Sequence, residues 1–166
     1  MLAPSLIEKF ARVKLLSLDL DGTLTDGGLY YFEDGNEARK YHVQDGYGIV
    51  EVQKAGLQVC LITQSDTAAI ARRAERLRIR HCYMGVHDKL PRLQAICAEL
   101  GIGLDQVAHV ADDVNDLGVL GAIGLPIAVA NARPKVKAVA AYITTARGGD
   151  GAVREVCDLL LDYKKA

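Results

Sequence analysis

Val13-Lys-Leu-Leu-Ser-Leu-Asp-Leu-Asp21 decides how the rest of the chain is read. The run is apolar and leucine-rich, which marks a strand buried on both faces rather than one alternating between core and water. It ends in two acids, Asp19 and Asp21, then Gly22. Further candidate strands follow at 58–62, 81–84, 107–111, 126–129 and 142–144. Between them lie helical patterns. One runs from Asp45 as cap to Lys54. Another follows Ser65 or Asp66 and carries Ile70, Ala74 and Leu77 on one face. A third carries Leu90, Leu93, Cys97 and Leu100, and a last one Val153, Val156, Cys157, Leu160 and Leu161. Strands that alternate with helices pair in parallel, so the fold class is α/β, a doubly wound sheet with helices on both faces. A short opening helix is expected from the capping-box spacing of Ser5 and Glu8.

One stretch breaks the alternation. From Gly27 to Tyr41 two short aromatic or polar runs flank Asp34-Gly35, a hairpin turn signal, so a β-hairpin is inserted after the first strand. The 166 residues fit one domain, 1–166, with this insert and a glycine-rich segment at 147–151. Half the residues are apolar and a quarter charged, as in a soluble globular protein. The chain holds no apolar run of membrane-spanning length. Its start lacks the pattern of a signal peptide, so the expected location is cytoplasmic. A net charge of −1 argues against nucleic acid as a partner. The four cysteines are widely spaced in apolar segments and read as reduced core thiols.

Ligand sites in open α/β sheets lie at the carboxyl ends of the strands. Those ends carry Asp19 and Asp21, then Thr63, then Asp112-Asp113 with Asp116 close behind, while Lys89 follows the third strand. Three or more carboxylates on one edge repel one another unless a cation joins them, and an oxygen-only set suits Mg²⁺. Asp19 and Asp21 stand two apart, on one side of the strand end. One can attack phosphorus while the other gives and takes a proton. Gly22 allows backbone amides close to a phosphate. Thr63 can bond a phosphoryl oxygen. Lys89 can offset its charge, with on the order of 4 kcal/mol per pair at ~4 Å before desolvation.

Asp19-Leu-Asp-Gly-Thr-Leu-Thr25 is similar to the first motif of the haloacid dehalogenase superfamily, and Thr63, Lys89 and Asp112-Asp113 fall in the order of its second, third and fourth. The resemblance implies a nucleophile and metal ligand at Asp19, and at Asp21 a general acid/base that lends its backbone carbonyl to Mg²⁺. It implies phosphoryl binding by Thr63 and Lys89, metal ligation by Asp112, and supporting roles for Asp113 and Asp116. The segments Lys40–Ile49 and Gly148–Glu155 also resemble 3-deoxy-manno-octulosonate 8-phosphate (KDO 8-phosphate) phosphatases. That likeness implies a capless homotetramer assembled through the hairpin, a glycine-rich tail reaching towards a neighbouring site, and a phosphorylated sugar acid as substrate. Relatives in the same subfamily act on sialic-type 9-phosphates, and one serves as a domain fused to sugar-acid cytidylyltransferases, so a weakly active tetramerisation module is the alternative. Two positions depart from the pattern. Gln64-Ser65 stands where Gly-Arg is usual, and Ala111 where glycine is usual. Gly22, Gln64, Ser65, Arg147, Gly149 and Arg154 are the expected substrate-binding residues, with 147–151 closing over a site in place of a cap.

Overall fold

The computed structural model describes residues 2–164. Its centre is a six-stranded parallel sheet made by β1 (Leu15–Leu18), β4 (Gln58–Ile62), β5 (His81–Tyr83), β6 (Val107–Ala111), β7 (Leu125–Ala128) and β8 (Tyr142–Ile143), in the order β5-β4-β1-β6-β7-β8. β1 lies between β4 and β6, and all four of its residues are buried. An interior strand covered on both faces needs apolar side chains on both, which is why this run shows no alternation.

The pleat nonetheless sorts those side chains. Leu16 and Leu18 of β1 and Val59 and Leu61 of β4 belong to the larger core cluster, with Phe10, Ile49, Ile70, Val153 and Val156. Leu15, Cys60 and Ile62 point the other way, into a second cluster with Leu93, Ile96 and Cys97. The first face is therefore covered by α1 (Pro4–Arg12), α2 (Val43–Lys54), α3 (Ala68–Arg76) and α7 (Ala152–Lys164). The second is covered by α4 (Lys89–Leu100) and the short α5 (Leu117–Leu120). A sixth helix in chain order, α6 (Pro134–Val139), joins β7 to β8.

The hairpin is present as β2 (Tyr30–Tyr31) and β3 (Glu37–Ala38), paired antiparallel, with Gly35 in the left-handed region at φ 84°. Among the described residues it pairs with no strand of the main sheet.

Local signals shifted several helix starts. α1 begins at Pro4, because proline is pre-set for the first helical position, so Ser5 lies inside the helix and caps nothing. α2 starts at Val43, two residues before Asp45. The Asp45 carboxylate instead accepts the Arg154 N–H at 2.7 Å and so caps a different helix, α7. The cap position of α3 is Thr67, not Ser65 or Asp66. That helix stops at Arg76, and Arg78 adopts φ 58°. The four cysteines are free thiols.

Candidate active site

The strand order reverses beside β1, and there the carboxyl ends of β1, β4 and β6 meet. They open on a pocket of about 350 Å³ lined by Asp19, Asp21, Thr63, Gln64, Ser65, Asp112 and Asp113, among others. That volume lies in the range of small-molecule sites rather than macromolecular clefts.

Asp19 is held at the end of β1 by its own N–H, which donates to the Val110 carbonyl at 3.1 Å. Its side chain is buried, and Oδ1 accepts a bond from Lys89 Nζ at 2.6 Å. Lys89 arrives as the first residue of α4, and its side chain has no exposure at all. Burial pulls its pKa down, but Asp19 and Asp116 more than offset that and raise it. Lys89 is thus a fixed positive charge beside a carboxylate.

Asp112, at the end of β6, faces Asp19. Burial, then the charges of Asp19 and Asp113, push its carboxyl up to about 7. Asp19 is likewise raised, by burial first and Asp116 second, with Lys89 opposing. Asp112 Oδ1 is buried without any partner. A Cβ built on Gly22 would land on the Asp112 carboxylate, and Gly22 sits at φ 84°, so only glycine allows this approach.

Asp21 looks elsewhere. Its Oδ1 accepts from Arg39 Nε at 2.8 Å, and its Oδ2 from Ser65 Oγ at 2.5 Å. Arg39, just after β3, also bonds Glu37 and reaches Ser65 Oγ at 3.3 Å, and its side chain is almost wholly buried. Arg39 belongs to none of the sequence motifs. Its only signal was a basic residue directly behind the hairpin. Ser65, one of the two departures from the expected pattern, is therefore in contact with Asp21. Thr63 is buried at the end of β4 and lines the pocket, and its Oγ1 accepts the Ser65 N–H at 3.1 Å, leaving its hydroxyl proton free to donate outward.

The expected convergence of three or more carboxylates on one edge is met, but not all of them are free. Four acids line the pocket, but Asp21 is engaged by Arg39 and Ser65, and Asp113 is exposed, accepting from the Val114 N–H. Among the described residues no three His, Cys, Asp or Glu side chains are grouped to hold an ion. What remains is the Asp19–Asp112 pair. Asp116 is not at the pocket wall. It is fully buried and bonds Lys89 Nζ at 2.8 Å and His109 Nε2 at 2.8 Å. The His109 bond, then Lys89, hold its pKa low against burial.

The expected substrate groups of the tail are not brought to the pocket of the same chain. Arg147 is exposed, and Arg154 lies beside Tyr47 and Asp158. Gly148 and Gly149 are buried against the loop that follows Asp21. Gly149 N–H donates to the Thr23 carbonyl at 3.0 Å, and Gly148 N–H to Asn131 Oδ1 at 2.9 Å. The glycines here permit close contact. A Cβ on either residue would collide with backbone between Gly22 and Asp26. The segment is a wedge under the loop from Gly22 to Asp26.

Residues 83–156 match the model of the haloacid dehalogenase-like hydrolase family. The 3-deoxy-D-manno-octulosonate 8-phosphate phosphatase of Escherichia coli strain K12 is 41% identical over 155 residues, which are 93% of this chain and 82% of that one. The chain belongs to the haloacid dehalogenase-like hydrolases. Within that family it is a phosphoric monoester hydrolase, as its relatives over nearly the full chain are. The fold agrees. The crystal structure of the phosphatase of the same description from Yersinia pestis superposes with a TM-score of 0.97 at 38% identity, covering 99% of this chain and 89% of that one. The Moraxella catarrhalis enzyme, solved with magnesium, phosphate and KDO, gives 0.94 at 39% identity, covering 96% and 92%.

Proposed function

We propose that the whole chain is one Mg²⁺-dependent phosphatase domain that hydrolyses a phosphorylated 2-keto-3-deoxy sugar acid, KDO 8-phosphate or a sialic-type 9-phosphate. The observation that carries this reading is the buried Lys89 Nζ at 2.6 Å from Asp19 Oδ1, with Asp112 facing the same carboxylate. Asp19 is the nucleophile. One of its oxygens bonds to phosphorus as the bond from phosphorus to the sugar oxygen breaks. The leaving oxygen takes its proton from Asp21. Asp21 then removes a proton from water, the water oxygen attacks phosphorus, and inorganic phosphate leaves with Asp19 restored. Lys89, Thr63 and the amides near Gly22 hold the phosphoryl oxygens, and Arg39 with Ser65 fixes the rotamer of Asp21. Gln64 and Ser65, at the pocket wall, stand where the sugar would lie.

The residues present fit a hard divalent cation. Asp112 Oδ1 is buried without a partner, two carboxylates crowd each other, and every donor is oxygen. Mg²⁺ typically takes one or two carboxylates and keeps the rest of its shell for waters and phosphate. Asp19, Asp112 and the Asp21 backbone carbonyl would hold it. When bound it neutralises the carboxylate pair and draws charge from the phosphoryl oxygens.

The chain also exposes an apolar surface. Tyr31 is 72% and Val43 83% exposed, with Leu29, Tyr30, Phe32 and Tyr47 also open to water. A homotetramer closed through these hairpins would cover it. No helix among the described residues is long and apolar enough to cross a membrane.

Phosphate release from a panel of KDO 8-phosphate, sialic-type 9-phosphates and unrelated sugar phosphates tests the substrate. Turnover confined to unrelated phosphates rejects the sugar-acid reading. Chelation should abolish activity and Mg²⁺ restore it. Asp19→Asn, which removes the attacking oxygen, should leave almost none. Near-normal rates in that variant reject the aspartyl-phosphate route, and a robust rate in the wild-type chain excludes an inert assembly module.

A further inference from the structure

Resting on Asp19 as nucleophile and Lys89 as its cationic partner, we infer that His109 is a positioning residue, which orients Asp116 and through it the Lys89 ammonium. The placement begins in the sheet. Ser17 of β1 pairs in register with Cys60 of β4 and with His109 of β6. The row lies on the face covered by α4, whose first residue is Lys89. A buried central-strand position calls for an apolar side chain, yet His109 puts two ring nitrogens there, and each needs a partner.

Both have one. Nδ1 lies 2.9 Å from Ser17 Oγ, and Nε2 lies 2.8 Å from Asp116 Oδ1. The other oxygen of Asp116 takes Lys89 Nζ at 2.8 Å, and Lys89 spends a second donor on Asp19 at 2.6 Å. The side chains of His109, Asp116 and Lys89 have no solvent exposure, so water has no access to substitute for a missing member. An ionised Asp116 can only accept, so Nε2 carries a proton towards it.

The geometry has a mechanical consequence. Lys89 is long and has two anionic partners, so it does not by itself fix where its charge sits. Asp116 fixes it, but a carboxylate held on one oxygen can rotate. His109, anchored by strand β6 and by Ser17, holds the second oxygen. Removing that hold lets the ammonium shift relative to Asp19 without altering the pocket wall where the sugar would lie. The expected signature is a loss in kcat with KM nearly unchanged.

The test uses the full chain with His109→Phe and His109→Gln, each shown to be folded by circular dichroism and urea unfolding. Both are assayed with Mg²⁺ on KDO 8-phosphate and on an aryl phosphate. Phe fills the volume without a donor, and Gln offers an amide N–H to Asp116. His109→Phe should lose about tenfold to a hundredfold in kcat on both substrates, as expected of sub-ångström to ångström misplacement. Gln should recover most of that loss, and KM should stay within about threefold in both. A folded His109→Phe with wild-type kcat overturns the inference, and so do equal losses in Phe and Gln. If His109→Phe does not fold, His109→Asn takes its place, because its amide is too short to span to Asp116. Absence of turnover in the wild type would instead reject the phosphatase reading. The positioning is then read alone from ¹⁵N spectra of the imidazole. A slowly exchanging Nε2–H is expected, and an Nδ1–H tautomer or rapid exchange overturns it.

Discussion

Gly149→Ala should do more damage than any other glycine-to-alanine change at a positive φ outside the pocket, and Gly35→Ala is its control. Both glycines are left-handed, at φ 69° and 84°, so alanine pays a similar backbone penalty at each, roughly 1–2 kcal/mol. Their surroundings differ. A Cβ on Gly35 meets nothing within 4 Å, whereas one on Gly149 would fall on the Asp26 nitrogen and the Thr25 carbonyl carbon. Those are backbone atoms, which cannot swing aside as a side-chain end can. Overpacking of this kind adds about 1–3 kcal/mol. The total for Gly149→Ala is therefore about 2–5 kcal/mol, against about 1–2 for Gly35→Ala. Urea unfolding measures both. The strain also has a direction. Thr25 Oγ1 accepts the Gly22 N–H at 3.2 Å, so displacing Thr25–Asp26 tilts the turn that lies against Asp112. Activity of the folded Gly149→Ala enzyme should fall by about tenfold or more, while Gly35→Ala keeps the wild-type rate. Equal stability losses in the two variants, with unchanged turnover in both, would refute the wedge.

Asp45→Ala removes the carboxylate that accepts the Arg154 N–H and should cost about 1–2 kcal/mol, with Asp45→Asn milder; a loss within urea-titration error in the alanine variant would show that α7 does not depend on this cap. Tyr31→Glu combined with Phe32→Glu places charges on the exposed hairpin and should lower the light-scattering mass towards that of one chain; an unchanged mass would remove the hairpin from the subunit contact. Burial pushes the Cys60 thiol up to about 12, so it stays protonated at pH 8, and half-buried Cys82 should be the first cysteine modified by a disulfide reagent; early labelling of Cys60 would contradict its placement.

The strand-helix alternation was legible because it is written in periodicity and turn residues, which are local. The run from Val13 to Asp21 named the central strand through its lack of alternation, and Thr63 and Asp112 were visible as polar residues directly after apolar runs, with Lys89 a few residues beyond the third. Helix starts were less legible. Ser5, Ser65 and Asp45 all have the side chains of caps, yet only Asp45 caps a helix, and that helix is α7, more than a hundred residues away. A capping oxygen is chosen by proximity, and proximity across the fold is not encoded in spacing.

The chemical types in the site, and their placement at strand ends, were thus determined by the sequence itself. Which charge answers which was decided only when β1, β4 and β6 came together. Asp21 turned out to be held by Arg39 from the hairpin, Lys89 to be shared between Asp19 and Asp116, and His109 to lie beneath both. Gly148 and Gly149 illustrate the same limit. In sequence a glycine pair signifies freedom, and only tertiary contact reveals that the missing side chain is used to bring two backbones together.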